Sequence, residues 1–261
     1  MDAFKTKGIT CAQSIEEAVK NADLVISCLF DDTSLLDMII GEYGVLHCLP
    51  EHTCYISTET ILPKTVLHIW KSFKENQKQY LPAAILGGPN EVSSGKATLF
   101  TSGNSNANQK FEHIFKLFTE QIFYMGDQPD WAMVMKIAMN YTYTANLELF
   151  SKLYVFAEKH GIPAEYIQKT LYTVFPLPGY RECINKIHHR NYSPVNFAVT
   201  GGNKDLQVFQ QAFHDVGAVP RIGQLLGERF ASAAKSNLAD QDWTAINEVI
   251  RKESGLDNHH E

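Results

Sequence analysis

The feature that most constrains the fold of this 261-residue chain is a change in hydrophobic period near Pro129. Before that residue, short runs rich in β-branched and aromatic residues alternate with helical patterns, and after it the period is helical almost throughout. Strands alternating with helices are typical of βαβ units and a mostly parallel sheet. The sequence therefore predicts an α/β domain followed by an all-α domain, with a hinge near Gly126.

Domain limits follow from this change. We predict an α/β domain over residues 1–126, an all-helical domain over residues 127–256 and a short tail over residues 257–261. Five segments of the first domain are predicted strands: Leu24–Phe30, Cys54–Ser57, Ala83–Leu86, Ala97–Thr101 and Ile122–Met125. The second domain opens with one long predicted helix, from Pro129 to Lys159.

Composition narrows the classes of function. The net charge is −6 without a basic stripe, which disfavours nucleic-acid binding. The longest apolar runs, such as LVISCLF, are far shorter than the roughly 20 residues that span a bilayer, and no signal-peptide pattern opens the chain. Five scattered cysteines lack metal-ligand spacing. We expect a cytoplasmic protein that holds no metal and binds neither nucleic acid nor membranes.

The start of the chain lacks a familiar nucleotide-binding signature. A doubly wound sheet that binds a dinucleotide normally begins with a strand, a Gly-rich turn and a helix. This sequence begins MDAFKTKGITCAQ, and its glycine pairs, Gly87-Gly88 and Gly201-Gly202, do not lie between a first strand and a helix. Taken alone, this pattern argues against a nucleotide-binding enzyme.

Six segments, taken in order, argue against that conclusion and resemble a known enzyme family. They are SIEEAVKNADLVISCLFDD, ETILP, AAILGGPNEVSSGKATLF, GDQPDWAMVMKIAMN, NFAVTGGNKDL and DQDWTAI. In this order and spacing they resemble the β-hydroxyacid dehydrogenase family, the group that contains 3-hydroxyisobutyrate dehydrogenase and is similar to 6-phosphogluconate dehydrogenase. The resemblance covers essentially the whole chain and implies a Rossmann domain, a helical domain and a lysine in the cleft between them.

The same resemblance places the first residue of this chain after the family's first βαβ unit. We therefore expect a partial, N-terminally truncated Rossmann domain, whose unpaired sheet edge is exposed or hidden in an oligomer. We also expect a homodimer in which the long Pro129–Lys159 helix forms the interface, as the resemblance to the family implies.

The resemblance implies NADP, or NAD, as the cofactor. Phe30 replaces a family proline, and its ring either packs on the cofactor or belongs to the core. Ser34 either contacts the cofactor or serves only to start a helix. The residues implied to contact the cofactor are Leu29, Phe30, Ser34, Thr60, Phe197 and Lys204.

Lys136 and Asn140, four residues apart, project from one face of a helix. Oxidation of a β-hydroxyacid requires a base for the hydroxyl proton while hydride leaves the carbon. A lysine in an apolar cleft can serve as this general acid/base, and Asn140 would orient the same hydroxyl or carboxylate. The alternative interpretation of Lys136 is a solvated helix lysine with a packed stem.

Two departures from the family bear on the substrate. Glu59 stands where the family motif S-T-x-x-P has serine, unless Ser57-Thr58 supplies the motif, and Leu86 replaces the serine of S-G-G. An anion at Glu59 would repel a carboxylate, so an aldehyde, ketone or imine fits better than a simple hydroxy acid. The residues assigned to the substrate are Glu59, Leu86, Gly87 and Gly88.

Two functions are therefore compatible with the sequence. The first is an NAD(P)-dependent oxidoreductase that transfers hydride between nicotinamide and a small hydroxy acid, carbonyl or imine, with Lys136 as general acid/base. The alternative is a non-catalytic remnant that cannot bind a dinucleotide and acts as a dimerisation or interaction module.

Overall fold

The computed structural model describes residues 7–119 and 121–256, so the predicted tail over residues 257–261 lies outside the described residues. The chain divides into two compact units between Ile137 and Ala138, inside one long helix. None of the described helices is long and apolar enough to cross a membrane.

The first unit is an α/β domain with a five-stranded sheet. The strands are β1 (Leu24–Ser27), β2 (Cys54–Ser57), β3 (Gln79–Leu86), β4 (Thr98–Thr101) and β5 (Gln121–Tyr124). They lie in the order β1-β2-β3-β4-β5, and every neighbouring pair is parallel except β3 with β4. The helices are α1 (Ile15–Val19), α2 (Asp32–Ile40), α3 (Val45–Cys48), α4 (Pro63–Glu75), α5 (Pro89–Ser93) and α6 (Ser105–Phe115).

The first strand is shorter than its apolar run. The sequence predicts a strand from Leu24 to Phe30, but β1 ends at Ser27. Asp31 caps helix α2, where its carboxylate accepts a hydrogen bond from the backbone N–H of Ser34 at 2.8 Å. The residues between the strand and the cap form the connecting turn, and for that reason they leave the sheet.

Both faces of the sheet are covered. Along β2, alternate side chains point to opposite faces: Cys54 and Ile56 belong to the cluster that includes Phe111 on α6, while Tyr55 contacts Phe73 on α4 with ring centroids 5.4 Å apart. A parallel strand buried on both sides has no polar face, which explains the continuous apolar runs of the first unit.

The second unit is all-helical, so the predicted order of an α/β domain and then an all-α domain is confirmed. The long helix α7 (Trp131–Lys159) leads into it, followed by α8 (Ala164–Val174), α9 (Pro178–His189), α10 (Val199–Asp215), α11 (Arg221–Ala234), a 3₁₀ turn (Trp243–Ala245) and α12 (Ile246–Glu253). Its apolar cluster contains Phe150, Tyr154, Leu171, Ile184 and Ile187.

Charged residues also hold the second unit together. Lys186 and Asp242 form an ion pair at 2.8 Å, with side chains 7% and 1% exposed. Asp242 also accepts hydrogen bonds from the backbone N–H of Asn196 and the hydroxyl of Thr244. The DQDWTAI segment therefore joins α9 to the 3₁₀ turn, which is a structural role.

Ser102, the residue after β4, fixes the start of helix α7. Its hydroxyl donates to the carbonyl of Pro129 at 2.8 Å and accepts from the N–H of Ala132 at 3.0 Å. The side chain is fully buried, so water cannot replace either bond. Ser102 therefore ties the sheet to the helix that carries Lys136 one turn later.

We expect Ser102→Ala to lower the free energy of unfolding by about 1–3 kcal/mol, because it leaves a buried carbonyl and a buried N–H without their partner. Urea unfolding of the full chain measures this loss. The matched control is Ser93→Ala at an exposed site, which should change stability by less than about 0.5 kcal/mol. Equal effects of the two substitutions would contradict the anchoring role of Ser102.

Candidate functional site

Several predicted site residues lie along one edge of the sheet. Strands β1, β2 and β3 are parallel, so their carboxyl ends point the same way. Leu29 and Phe30 follow β1, Glu59 and Thr60 follow β2, and Leu86 is the last residue of β3. Ligands of open α/β sheets bind outside this carboxyl edge. The topology thus places these residues at the edge where a ligand is expected.

The turn after β1 presents apolar surface. Leu29 is 36% exposed and Phe30 is 58% exposed. Ser34 lies in the first turn of α2, where its hydroxyl lies 2.7 Å from the Asp31 carboxylate as part of a capping box. Ser34 therefore has a helix-start role, and its contact with a cofactor stays a prediction.

Glu59 is a buried carboxyl group at this edge, only 3% exposed. Its Oε1 accepts a hydrogen bond from the backbone N–H of Leu29 at 3.1 Å, whereas its buried Oε2 has no hydrogen-bond partner among the described residues. Burial raises the pKa of Glu59 above the ordinary glutamate value, although the Ser27 hydroxyl and nearby backbone N–H groups, including that of Leu29, oppose the shift. Glu59 is thus an incompletely satisfied acid beside the expected ligand position.

The residues around Glu59 are phenols and hydroxyls. The hydroxyl of Tyr80 lies 2.7 Å from the hydroxyl of Ser57. Burial raises the pKa of Tyr55 and of Tyr80, and the negative charge of Glu59 adds to both shifts. Both tyrosines therefore remain neutral at physiological pH.

The turn after β3 requires its glycines. Gly87 has a φ of +145°, and a Cβ there would lie 3.0 Å from Cβ of Glu91 and 3.2 Å from Cβ of Ala97. The N–H of Gly88 donates to the carboxylate of Glu91 at 2.9 Å and starts helix α5. Packing and backbone conformation explain Gly87, and the contacts of Leu86, Gly87 and Gly88 with a substrate stay predictions.

Lys136 is buried in helix α7, with 7% of its surface exposed. Met133 and Ile137, on the same helix, are 0% and 3% exposed. A lysine at this depth carries a large desolvation cost for its charge. The alternative interpretation, a solvated helix lysine, does not describe this side chain.

Asn140, one turn further along α7, is held by an acid from α10. Its amide nitrogen donates to Oδ2 of Asp205 at 3.0 Å, while Oδ1 of Asp205 pairs with Nζ of Lys204 at 2.7 Å. Asp205 is 4% exposed, so both partners are bound in a dry environment. Sequence reasoning missed Asp205, although it directly follows the predicted site residue Lys204 in the K-D-L segment.

Phe197 lies just before α10. Its ring meets the ring of Trp243 edge to face, with centroids 5.2 Å apart, and its carbonyl accepts the N–H of Trp243 at 2.7 Å. Gly201 makes room for this ring, since a Cβ there would lie 2.9 Å from Phe197. The ring is therefore fixed in place, and its contact with a cofactor stays a prediction.

Comparison with known proteins adds independent information. Residues 1–126 match the family model for the NAD binding domain of 6-phosphogluconate dehydrogenase. The uncharacterized oxidoreductase YfjR of Bacillus subtilis is 27% identical over 246 residues, which cover 94% of this chain and 86% of that protein.

Two further proteins extend the comparison to both units. The NAD-dependent L-serine dehydrogenase of Pseudomonas aeruginosa is 23% identical, with 98% of this chain and 88% of that protein covered. The solved structure of Mycobacterium tuberculosis 3-hydroxyisobutyrate dehydrogenase with L-serine has a TM-score of 0.81 at 20% identity, covering 95% of this chain and 86% of the other. This last similarity shows a shared fold.

The buried state of Glu59 predicts a pH-dependent stability. Because its pKa is raised, the folded chain holds the Glu59 proton more tightly than the unfolded chain. Stability is therefore lost as the pH rises from the ordinary glutamate pKa, about 4.3, through the raised one. We expect Glu59→Gln, which cannot ionise, to gain in stability relative to the parent chain as the pH rises from about 4 to about 8.

Urea unfolding across this pH range measures the difference between variant and parent. Glu51→Gln, at an exposed position, is the control and should show a flat difference. A difference for Glu59→Gln that does not change with pH would mean that Glu59 is as easily ionised in the folded as in the unfolded chain.

Proposed function

We propose that the chain is an NAD(P)-dependent oxidoreductase of the β-hydroxyacid dehydrogenase family and that it transfers hydride between nicotinamide and a small hydroxy acid, carbonyl or imine. The observation that carries the finer proposal is the buried Lys136, one helical turn before an Asn140 whose amide is held by Asp205. A buried lysine followed by an oriented amide suits proton transfer to or from a substrate oxygen.

The residues at the carboxyl edge fit a dinucleotide. Leu29 and Phe30 expose apolar surface in the turn after β1, where a flat ring of the cofactor would cover it. Thr60 carries a hydroxyl in the segment that follows the neighbouring strand β2. NAD(P), when bound, supplies or accepts the hydride. We assign the nicotinamide ribose to Thr60, and we assign the adenosine or pyrophosphate side of the dinucleotide to Leu29 and Phe30.

Lys136 is the proposed general acid/base. In the direction of oxidation, its neutral Nζ takes the substrate's hydroxyl proton as hydride leaves the carbinol carbon, and in reduction the ammonium returns that proton to the oxygen. The amide nitrogen of Asn140 is committed to Asp205, so its Oδ1 serves as acceptor for the substrate hydroxyl. Burial of Lys136 and Asn140 keeps competing water away from the reacting oxygen.

The acid at Glu59 supports a substrate other than a simple hydroxy acid. A carboxylate substrate near Glu59 would add a second negative charge to a dry site, where repulsion is poorly screened. Leu86 offers no hydroxyl to bind such a carboxylate. We therefore place aldehydes, ketones and imines ahead of simple hydroxy acids.

Lys136→Met tests the acid/base role, because it keeps the buried stem and removes the amine. We expect NAD(P)H-dependent turnover to fall by about 10²–10⁴-fold with little change in cofactor affinity. Lys159→Met, at the exposed end of the same helix, is the control and should keep full activity. Unchanged turnover in Lys136→Met would remove the assigned role, and a parent chain without any cofactor-dependent activity would favour the interaction-module alternative.

We also propose that the chain forms a homodimer through helix α7. Leu149, Leu153 and Phe156 are 57%, 44% and 62% exposed and follow one another at spacings of four and three residues. Such spacing places them on one face of the helix, as an apolar stripe that a second helix would cover.

Replacing both Leu149 and Phe156 by glutamate should convert the dimer to a monomer, because paired stripes would bury four carboxylates. Sedimentation equilibrium measures the change in mass. Val216→Glu, at an apolar residue 80% exposed just after the end of α10, serves as the control and should remain dimeric. A parent chain that is monomeric at all concentrations would contradict the proposal.

A further inference from the structure

We propose that Glu59 binds a protonated nitrogen, so that the substrates of this chain carry an ammonium or iminium group close to the reacting carbon. The inference rests on the proposed function of the same site and goes beyond it by naming the charge of the substrate.

The first observation is the unsatisfied state of the Glu59 carboxyl group. It is 3% exposed, its Oε2 has no hydrogen-bond partner, and no ion pair among residues 7–119 and 121–256 includes it. A carboxylate removed from water without a cation is costly, and a ligand cation would offset that cost. The Oε1 atom accepts a hydrogen bond from the N–H of Leu29, a residue that is itself 36% exposed, so Glu59 contacts the partly exposed turn after β1.

The second observation is the charge of the edge itself. The segments that end β1, β2 and β3 are CLFDDTSLL (28–36), STETIL (57–62) and LGGPN (86–90). Together they contain three carboxylates and no lysine or arginine, and the first basic residue beyond the second segment is Lys64. Next to Glu59, this charge favours a cationic substrate group over an anionic one.

The other two acids of the edge have local tasks. Asp31 caps helix α2. Asp32 accepts the backbone N–H of Leu62 at 3.0 Å and the hydroxyl of Thr65, which joins the start of α2 to the start of α4. Glu59 is therefore the acid of this edge that retains an oxygen for a ligand.

Binding of three probes of similar size and different charge tests the proposal without turnover. The probes are isobutylammonium, isobutanol and isobutyrate, each titrated calorimetrically into the full chain with NADP present. We expect isobutylammonium to bind at least ten-fold more tightly than isobutanol, and isobutyrate to bind most weakly. Glu59→Gln should abolish the preference for the ammonium and leave isobutanol affinity unchanged, while Glu51→Gln should keep the preference.

Two results would overturn the proposal. One is a parent chain that binds isobutylammonium no more tightly than isobutanol, which is expected if Glu59 stays protonated and acts only as a neutral donor. The other is a Glu59→Gln variant that retains the preference. If Glu59→Gln does not fold, as judged by circular dichroism, Glu59→Ser takes its place and should gain affinity for isobutyrate, because a hydroxyl donor replaces the anion.

Turnover then shows whether the positive charge of the substrate belongs to an iminium group or to an ammonium group. With an iminium such as protonated 1-pyrroline, hydride from NADPH adds to the C=N carbon and the π pair becomes the nitrogen lone pair. With an amino alcohol such as 2-aminopropan-1-ol, hydride passes from the carbinol carbon to NADP⁺ and the hydroxyl proton passes to Lys136. Turnover of either substrate that Glu59→Gln lowers at least ten-fold supports the proposal and identifies the source.

Neutral isobutyraldehyde distinguishes a failure of the Glu59 proposal from a failure of the proposed oxidoreductase function. Its reduction without any charge preference among the probes would leave the proposed oxidoreductase function standing and overturn the role of Glu59. Failure of the chain to bind NADP or reduce any carbonyl would instead count against the proposed function.

Discussion

The parallel, in-register pairing of β1, β2 and β3 is the constraint on which the sheet-edge site depends. Ser27 lies opposite Ser57, and Ser57 lies opposite Pro82, so β1 and β2 end level with each other, whereas β3 continues to Leu86 in the same direction before its glycine turn. Each exit carries different chemistry: apolar side chains after β1, a buried acid after β2 and a glycine turn after β3. A site of this kind forms only because parallel strands send their carboxyl ends in one direction.

The buried polar residues differ in whether their polar atoms have hydrogen-bond partners. Ser102 and Asp205 have partners for the polar atoms described here, and each fixes a segment of backbone or an amide. Glu59 differs, because one of its oxygens is buried without a hydrogen-bond partner in the part of the chain that the structure describes. A satisfied buried group stabilises the fold, whereas an unsatisfied one costs stability and is retained where a ligand needs it.

Hydrophobic period and end signals predicted most of the elements. All five strands appear within a few residues of their predicted positions, and the long helix ends at Lys159 as expected. Ser102 was not predictable, because a serine near the end of a strand is usually solvated and its partners lie 27 and 30 residues further along the chain. The same separation hid Asp205, whose partner Asn140 lies 65 residues away.

By itself the sequence determined the order of an α/β domain and an all-α domain, the resemblance to a family and the set of chemically suited residues, because period, capping and motif order are local or linear properties. Only the tertiary structure decided which of these residues are buried and which are satisfied. Lys136 became a buried lysine and Glu59 an acid with an unused oxygen through packing between distant segments. Desolvation depends on everything that surrounds a group, and no linear pattern records it.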